Sequence, residues 1–380
     1  MQALGRKAVG SQCSARPVSG LTAHHGPLAA PKPCLTVASS ATQVDATPTP
    51  TPGMDMAKGS EVPGAPFGMG WLAEQGLRPA MEDQITVAWD ADQGVLFAAV
   101  WDGHGGYECA EWLGQHMQPM VMQEVLKATS LPTEAMAAGV SIAFQAADTQ
   151  LLAHLEQLGG EPLAQAGSTG TVLLVWPNRL VAANVGDSQA YIWRKGGAVA
   201  LTTPHRVEGS GPEVLIEKTR VQAAGGWVYD GRVCNVLAVS RAFGDWEFKG
   251  KGLQQLLIEG VERGFWGASF PATVKFTSDP VIATPSTWDQ PIQEDDEFIV
   301  LSSDGLWDVM PPRDVMSWAR KELMKGSTPQ EVAASLVTLA DKRHTTDNTS
   351  VVVIDLKGSA HWGPKKGNGG GLFGGLFGNK

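Results

Sequence analysis

Five short stretches of this chain are apolar on nearly every residue: 95–101, 171–176, 180–185, 298–301 and 351–354. Their length and bounding polar residues suit β-strands. A strand with one face in water alternates apolar and polar residues, so strands apolar throughout need cover on both faces. Helical spacing appears at Met136, Val140, Phe144, Ala147, Leu151, Leu155 and Leu158, in steps of three and four. A second helix is expected to open at Thr328-Pro329-Gln330-Glu331, which offers an N-cap, a proline at the first helical position and a capping-box glutamate. Others are expected over 314–323 and over 214–224, the latter stopping at Gly225-Gly226. Helices therefore come in pairs between strand groups instead of one per strand, which disfavours a doubly wound parallel sheet. The expected class is α+β: an antiparallel β-sandwich flanked by helix pairs.

Acidic residues sit at the ends of these runs. Asp102, Asp187 and Asp304 each follow one, and Asp83 and Asp347 each precede one, at 85–89 and 350–356. If the run after Asp83 pairs antiparallel with the run ending at Asp102, both carboxylates fall at one sheet edge, and the same logic joins Asp304 to Asp347. Carboxylates with almost no His or Cys among them favour hard cations, which makes Mg²⁺ or Mn²⁺ the expected ligand. In Asp102-Gly103-His104-Gly105-Gly106 the glycine after the aspartate lets a backbone carbonyl approach an ion closely. One carboxylate can bridge two such ions about 3.5–4 Å apart, and a water held between them becomes a nucleophile near neutral pH. Arg78, shortly before Glu82 and Asp83, suits a phosphate dianion, and His104 at the rim suits protonation of a leaving alkoxide. A lone Asp-Gly is most often a turn. Five acids, each adjoining an apolar run, are hard to explain as unrelated turns.

The net charge of −10 on 380 residues argues against nucleic acid as a partner, because no excess of cations exists to replace phosphate counterions. The cysteines, Cys13, Cys34, Cys109 and Cys234, form no CxxC pair and fit free thiols in a reducing compartment. Residues 1–45 read as an organelle transit peptide: 1–44 hold Arg6, Lys7, Arg16 and Lys32, no acid, and no continuous apolar block. Residues 46–69 read as a Pro-rich linker, 70–357 as the folded domain, and 358–380 as a Gly-rich tail with two Gly-Leu-Phe-Gly units. No run of about 18 apolar residues is present, so a membrane-spanning helix is not expected, although the Leu-Phe pairs could rest on a membrane surface.

An ordered set of segments then resembles the metal-dependent type-2C protein phosphatases. It comprises residues 78–83, 102–106, Gly167-Ser168-Thr169-Gly170, Gly186-Asp187-Ser188, 238–245, Ser303-Asp304-Gly305-Leu306-Trp307-Asp308 and Asp347-Asn348. The resemblance implies paired Mn²⁺ or Mg²⁺ ions and hydrolysis of phosphoserine and phosphothreonine. It implies that Asp102 bridges both ions, that the Gly103 carbonyl binds one, and that Asp304 and Asp347 bind the other. Glu82 and Asp83 would hold metal-bound waters, Arg78 would grip phosphate and His104 would be the acid. Asp187 matches a position that in some relatives helps hold a third ion. Pro204-His205-Arg206-Val207 departs from the family's usual Asp-His-Lys-Pro, outside the metal set, and is expected to alter only local flap contacts.

Within the family, residues 217–227, Arg232-Val233-Cys234, 240–245, Glu262-Arg263-Gly264-Phe265-Trp266 and 281–285 resemble the thylakoid-associated members that act on light-harvesting antenna proteins. The segment 246–278 is long for a turn and is either substrate-facing surface or a packed insert. The expectation is a monomeric chloroplast phosphatase, peripheral to the thylakoid or stromal, with phosphorylated antenna proteins as substrates. Photosystem core proteins or other stromal phosphoproteins are the alternative, and a pseudophosphatase that only binds them ranks lower, because every expected ligand is present.

Overall fold

The computed structural model describes residues 58–60, 62–128 and 134–362. The transit-peptide reading of 1–45, most of the linker and residues 363–380 of the Gly-rich tail lie outside the described residues. So do Cys13 and Cys34, whereas Cys109 and Cys234 are buried free thiols.

The chain opens with strands β1 (Gly68–Glu74), β2 (Gln84–Asp90) and β3 (Val95–Trp101), then helices α1 (Glu108–Ala128) and α2 (Glu134–Leu158). Four strands follow: β4 (Gly170–Trp176), β5 (Arg179–Val185), β6 (Gln189–Arg194) and β7 (Gly197–Ala200). Helices α3 (Pro212–Ala223) and α4 (Gly252–Glu262) come next, followed by β8 (Ser286–Pro291) and β9 (Asp296–Ser302). The last elements of the body are α5 (Pro312–Met324), α6 (Pro329–Lys342) and β10 (Thr349–Asp355).

These strands form two antiparallel sheets, in the orders β1-β10-β9-β6-β7 and β8-β5-β4-β3-β2, with Lys58–Gly59 paired on the free edge of β1. The β5–β6 connection carries the chain from one sheet to the other.

The all-apolar runs are explained by alternation between two covered faces. Along β3, Leu96, Ala98 and Val100 point to the opposite sheet, where Ile192, Ile299 and Val352 meet them. Phe97, Ala99 and Trp101 point outward and pack with Leu113 and Met117 of α1 and Phe144 and Leu151 of α2. The other sheet repeats the pattern, with Phe298, Val300, Val351 and Val353 covered by Val315, Ala319 and Leu336 of α5 and α6. Burying one such side chain contributes roughly 1.5–3 kcal/mol, so slipping a strand by one residue would exchange two matched surfaces at once. The result is the expected sandwich flanked by helix pairs.

Local signals place the helices. Thr328 Oγ1 accepts from the Glu331 N–H at 3.2 Å and Glu331 Oε2 accepts from the Thr328 N–H at 2.7 Å, closing the capping box of α6. Helix α3 gives way to Gly225 at φ +87°, the left-handed stop expected there. Helix α1 has no clear periodicity in the sequence because Gly114 and Pro119 interrupt its pattern. Its buried stripe, Leu113, Met117, Val121 and Val125, nonetheless keeps a four-residue step.

A separate cluster supports the excursion between β7 and β8. Val207, Val221, Val233, Val239, Phe248 and Leu256 form its core. Trp266 and Phe270 from the 246–278 segment meet the Trp227 ring edge-on at centroid distances of 5.3 and 5.0 Å. The segment is therefore packed structure, and it leaves an open concavity of about 810 Å³ beside Trp227, Tyr229, Phe265 and Lys275.

Candidate metal centre

Antiparallel pairing does what the run-end acids require. Gln84 is opposite Trp101 and Ser302 is opposite Val351, so Asp83 joins Asp102 and Asp304 joins Asp347, each pair at a strand end. Asp187 occupies the tight β5–β6 turn, where Gly186 takes φ +94° and a Cβ would meet Thr169 at 2.4 Å. Ligand oxygens of Asp102, Asp187 and Asp304 lie within 4.8 Å of one another. Gly103 is required for close approach, since a Cβ there would meet the Glu82 carbonyl oxygen at 2.4 Å.

Hydrogen bonds fix the surrounding loops. Asn348 Oδ1 accepts from the Glu82 N–H at 2.8 Å, and its Nδ2 donates to the carbonyls of Gln75 and Ala80. Glu82 Oε1 accepts from the Gly106 N–H at 2.8 Å. Ser303 Oγ donates to Asp83 Oδ2 at 2.9 Å. Half-exposed Arg78 donates to Asp347 Oδ2 at 2.6 Å, which places the expected phosphate-gripping guanidinium at the mouth of the cluster.

Crowding has an electrostatic cost. Burial, with the charges of Asp83, Asp304 and Asp187, pushes Asp102 well above the ordinary carboxylate range. Burial and the nearby acids Asp347 and Glu82 raise Asp83 to about 7. Burial, then Asp187 and Asp308, raise Asp304 to about 8. Carboxylates held together against their own repulsion fit hard dications, which would restore the ionised forms. Asp102, Asp187, Asp304 and Asp347 are the side chains placed to hold them, with Glu82, Asp83 and the Gly103 carbonyl beside them.

Two contacts went unread in the sequence. His104 Nε2 lies 2.9 and 3.1 Å from the two carboxylate oxygens of Asp245, which is buried with left-handed backbone at φ 49°. Burial opposes protonation of His104, but the charge and hydrogen bond of Asp245, together with the charges of Asp187 and Glu82, raise the imidazole overall. The four-residue stretch around Arg206 also reaches further than expected. Arg206 is not confined to flap contacts: it donates to Asp187 at 2.6 Å, Asp304 at 2.9 Å and Asp308 at 2.8 Å. Its departure from the family pattern was the one local signal available, and it carried no information about where the side chain would reach.

Comparison with known proteins agrees with this geometry. The profile "Protein phosphatase 2C" matches residues 67–349. Protein phosphatase 2C 57 of Arabidopsis thaliana is 38% identical over 301 residues, covering 78% of this chain and 76% of that protein. Protein phosphatase 2C homolog 3 of Schizosaccharomyces pombe is 31% identical over 298 residues, covering 76% of this chain and 64% of that one. Among solved structures, a C. elegans sex-determining protein superposes with a TM-score of 0.60 at 22% identity, over 78% of this chain and 66% of that chain. A phosphatase from Toxoplasma gondii gives 0.57 at 22% identity, over 78% and 94%. The structural matches speak to the fold, and the profile and sequence relatives decide the rest: this chain belongs to the protein phosphatase 2C family of metal-dependent serine/threonine protein phosphatases.

Proposed function

We propose that this phosphatase uses two Mn²⁺ or Mg²⁺ ions to remove phosphate from serine and threonine of light-harvesting antenna proteins in the chloroplast. The observation that carries the chemistry is the approach of Asp102, Asp187 and Asp304 to within 4.8 Å at the end of the sandwich. When bound, the dications supply a nucleophilic water and neutralise charge on the phosphoryl group. Arg78 orients a phosphate oxygen at the rim by charge-assisted hydrogen bonds. His104, held by Asp245, gives its proton to the serine or threonine oxygen as the P–O bond breaks, leaving the free hydroxyl and inorganic phosphate.

The plastid assignment is supported by the acid-free, Ser/Thr/Ala/Pro-rich first 44 residues and by the segment likeness at 217–227, 262–266 and 281–285. No helix among the described residues is long and apolar enough to cross a membrane, so contact with thylakoids is proposed as peripheral. Two assays test the reading. Phosphopeptide hydrolysis is expected to need Mn²⁺ or Mg²⁺ and to fall at least 100-fold in EDTA or in Asp304→Asn; full activity in either would refute the mechanism. Stroma and thylakoid fractions, probed for this chain and for its rates on antenna and core phosphoproteins, test location and substrate. Faster turnover of core proteins would overturn the antenna assignment.

A further inference from the structure

We propose that Arg206 is a built-in cation that takes the place of a further dication at the Asp187 side of the metal centre, so that this protein is limited to two ions. The inference rests on the metal-dependent reading above and refines it. Three carboxylates from two segments, Asp187 from one turn and Asp304 and Asp308 from another, surround this one guanidinium. Its Nε donates to Asp187 Oδ2 at 2.6 Å, its Nη2 to Asp304 Oδ2 at 2.9 Å, and its Nη1 and Nη2 to Asp308 at 2.8 and 3.2 Å. Such a corner of oxygen donors is what a hard dication also selects. Arg206 competes for it by charge and by volume.

The arginine cannot step aside by losing its proton. A guanidinium keeps its charge throughout the pH range in which proteins stay folded. Nor is its backbone loose. The preceding residue, His205, donates its N–H to the Gly186 carbonyl at 2.9 Å, and its Nδ1 accepts from the Gly186 N–H at 3.2 Å. His205 Nε2 lies 2.9 Å from Ser286 Oγ, and the His205 carbonyl accepts from the Ser240 N–H. Arg206 itself bridges to Val239 in antiparallel fashion. The Asp187 turn and the 239–240 segment thus clamp the chain on both sides of the arginine, aiming the planar fork at three acids. A lysine has the charge but, as a point donor, cannot span them.

The test is calorimetric titration of Mn²⁺ into the chelator-stripped full chain, comparing wild type, Arg206→Gln, Arg206→Lys and Asp102→Asn. Wild type is expected to bind two ions. Arg206→Gln is expected to bind one more, and Arg206→Lys to bind the extra ion at least tenfold more weakly than Arg206→Gln. Thermal melts in EDTA give a readout independent of activity: Arg206→Gln is expected to melt below wild type, with the difference closing as Mn²⁺ is added. Should Arg206→Gln fail to fold, an extra ion in Arg206→Lys decides the matter alone. An unchanged ion number and affinity in both arginine variants, or a third ion already bound by wild type, overturns the proposal. Failure of wild type to bind Mn²⁺ at all, or binding unaffected by Asp102→Asn, refutes instead the metal-centre reading beneath it.

Discussion

Replacing Asp83 with asparagine is expected to stabilise the metal-free protein while disabling the enzyme. Asp83 is buried, and its carboxyl titrates at about 7 instead of 3.8. A group whose folded pKa is raised makes its full contribution to stability below the unfolded pKa, and that contribution is lost as pH rises through the folded value. Metal-free wild type should therefore lose stability between about pH 4 and pH 8. The shift from 3.8 to about 7 corresponds to about 4 kcal/mol at 1.36 kcal/mol per pKa unit. Asparagine has no charge to desolvate and can still accept from Ser303 Oγ through its amide oxygen. Its buried NH₂ would turn to the Ser350 hydroxyl, and an incompletely satisfied amide there returns about 1–3 kcal/mol. A net gain of about 2 kcal/mol is expected in EDTA at pH 8, shrinking to nothing near pH 5. Urea unfolding of both forms at the two pH values measures it. With Mn²⁺ present the order should reverse, because the weakened metal site forfeits ligand-linked stability, and phosphopeptide turnover should fall at least tenfold. An Asp83→Asn protein no more stable than wild type in EDTA at pH 8, or a gain that persists unchanged at pH 5, would refute the electrostatic account.

Other expectations follow from single contacts. His104→Gln should slow hydrolysis of a phosphoserine peptide about 100-fold but that of p-nitrophenyl phosphate less than tenfold, since a good leaving group needs little protonation; equal losses on both substrates would remove His104 as the acid. Lys249 is buried, with Nζ 2.8 Å from both Asp148 oxygens and 2.9 Å from the Ala242 carbonyl. Asp148→Ala should cost about 3–5 kcal/mol in urea unfolding by stranding that charge, and a loss under 1 kcal/mol would show that the pair is dispensable. Gly170→Ala should cost about 1–3 kcal/mol, because its Cβ would meet Phe243 at 2.7 Å and Trp101 at 2.8 Å; unchanged stability would mean those rings yield freely.

Much of the architecture could be read from local pattern, because the forces that select it are local or periodic. Runs apolar on every residue demanded two covered faces, and the 136–158 spacing gave a helix that the structure begins two residues earlier, at Glu134. Acids at the ends of runs needed only antiparallel pairing to come together. Helix α1 was hidden because Gly114 and Pro119 lower local propensity, while the burial that overrides it comes from α2 and β3. The partners of the functional groups were invisible for a different reason. His104 meets Asp245 across 141 residues, and Arg206 reaches Asp304 across 98. Neither separation leaves a mark on the residues near either end.

The sequence by itself determined the layers, the strand-end position of the acids and the chemistry that oxygen donors prefer. Only the tertiary structure decided which charges face one another, and so that Asp245 holds the histidine and Arg206 stands among three aspartates. Periodicity records whether a side chain is buried, which is a property of one position. A hydrogen bond or ion pair belongs to two positions, and its geometry exists only once distant turns have been brought to the same end of the sandwich.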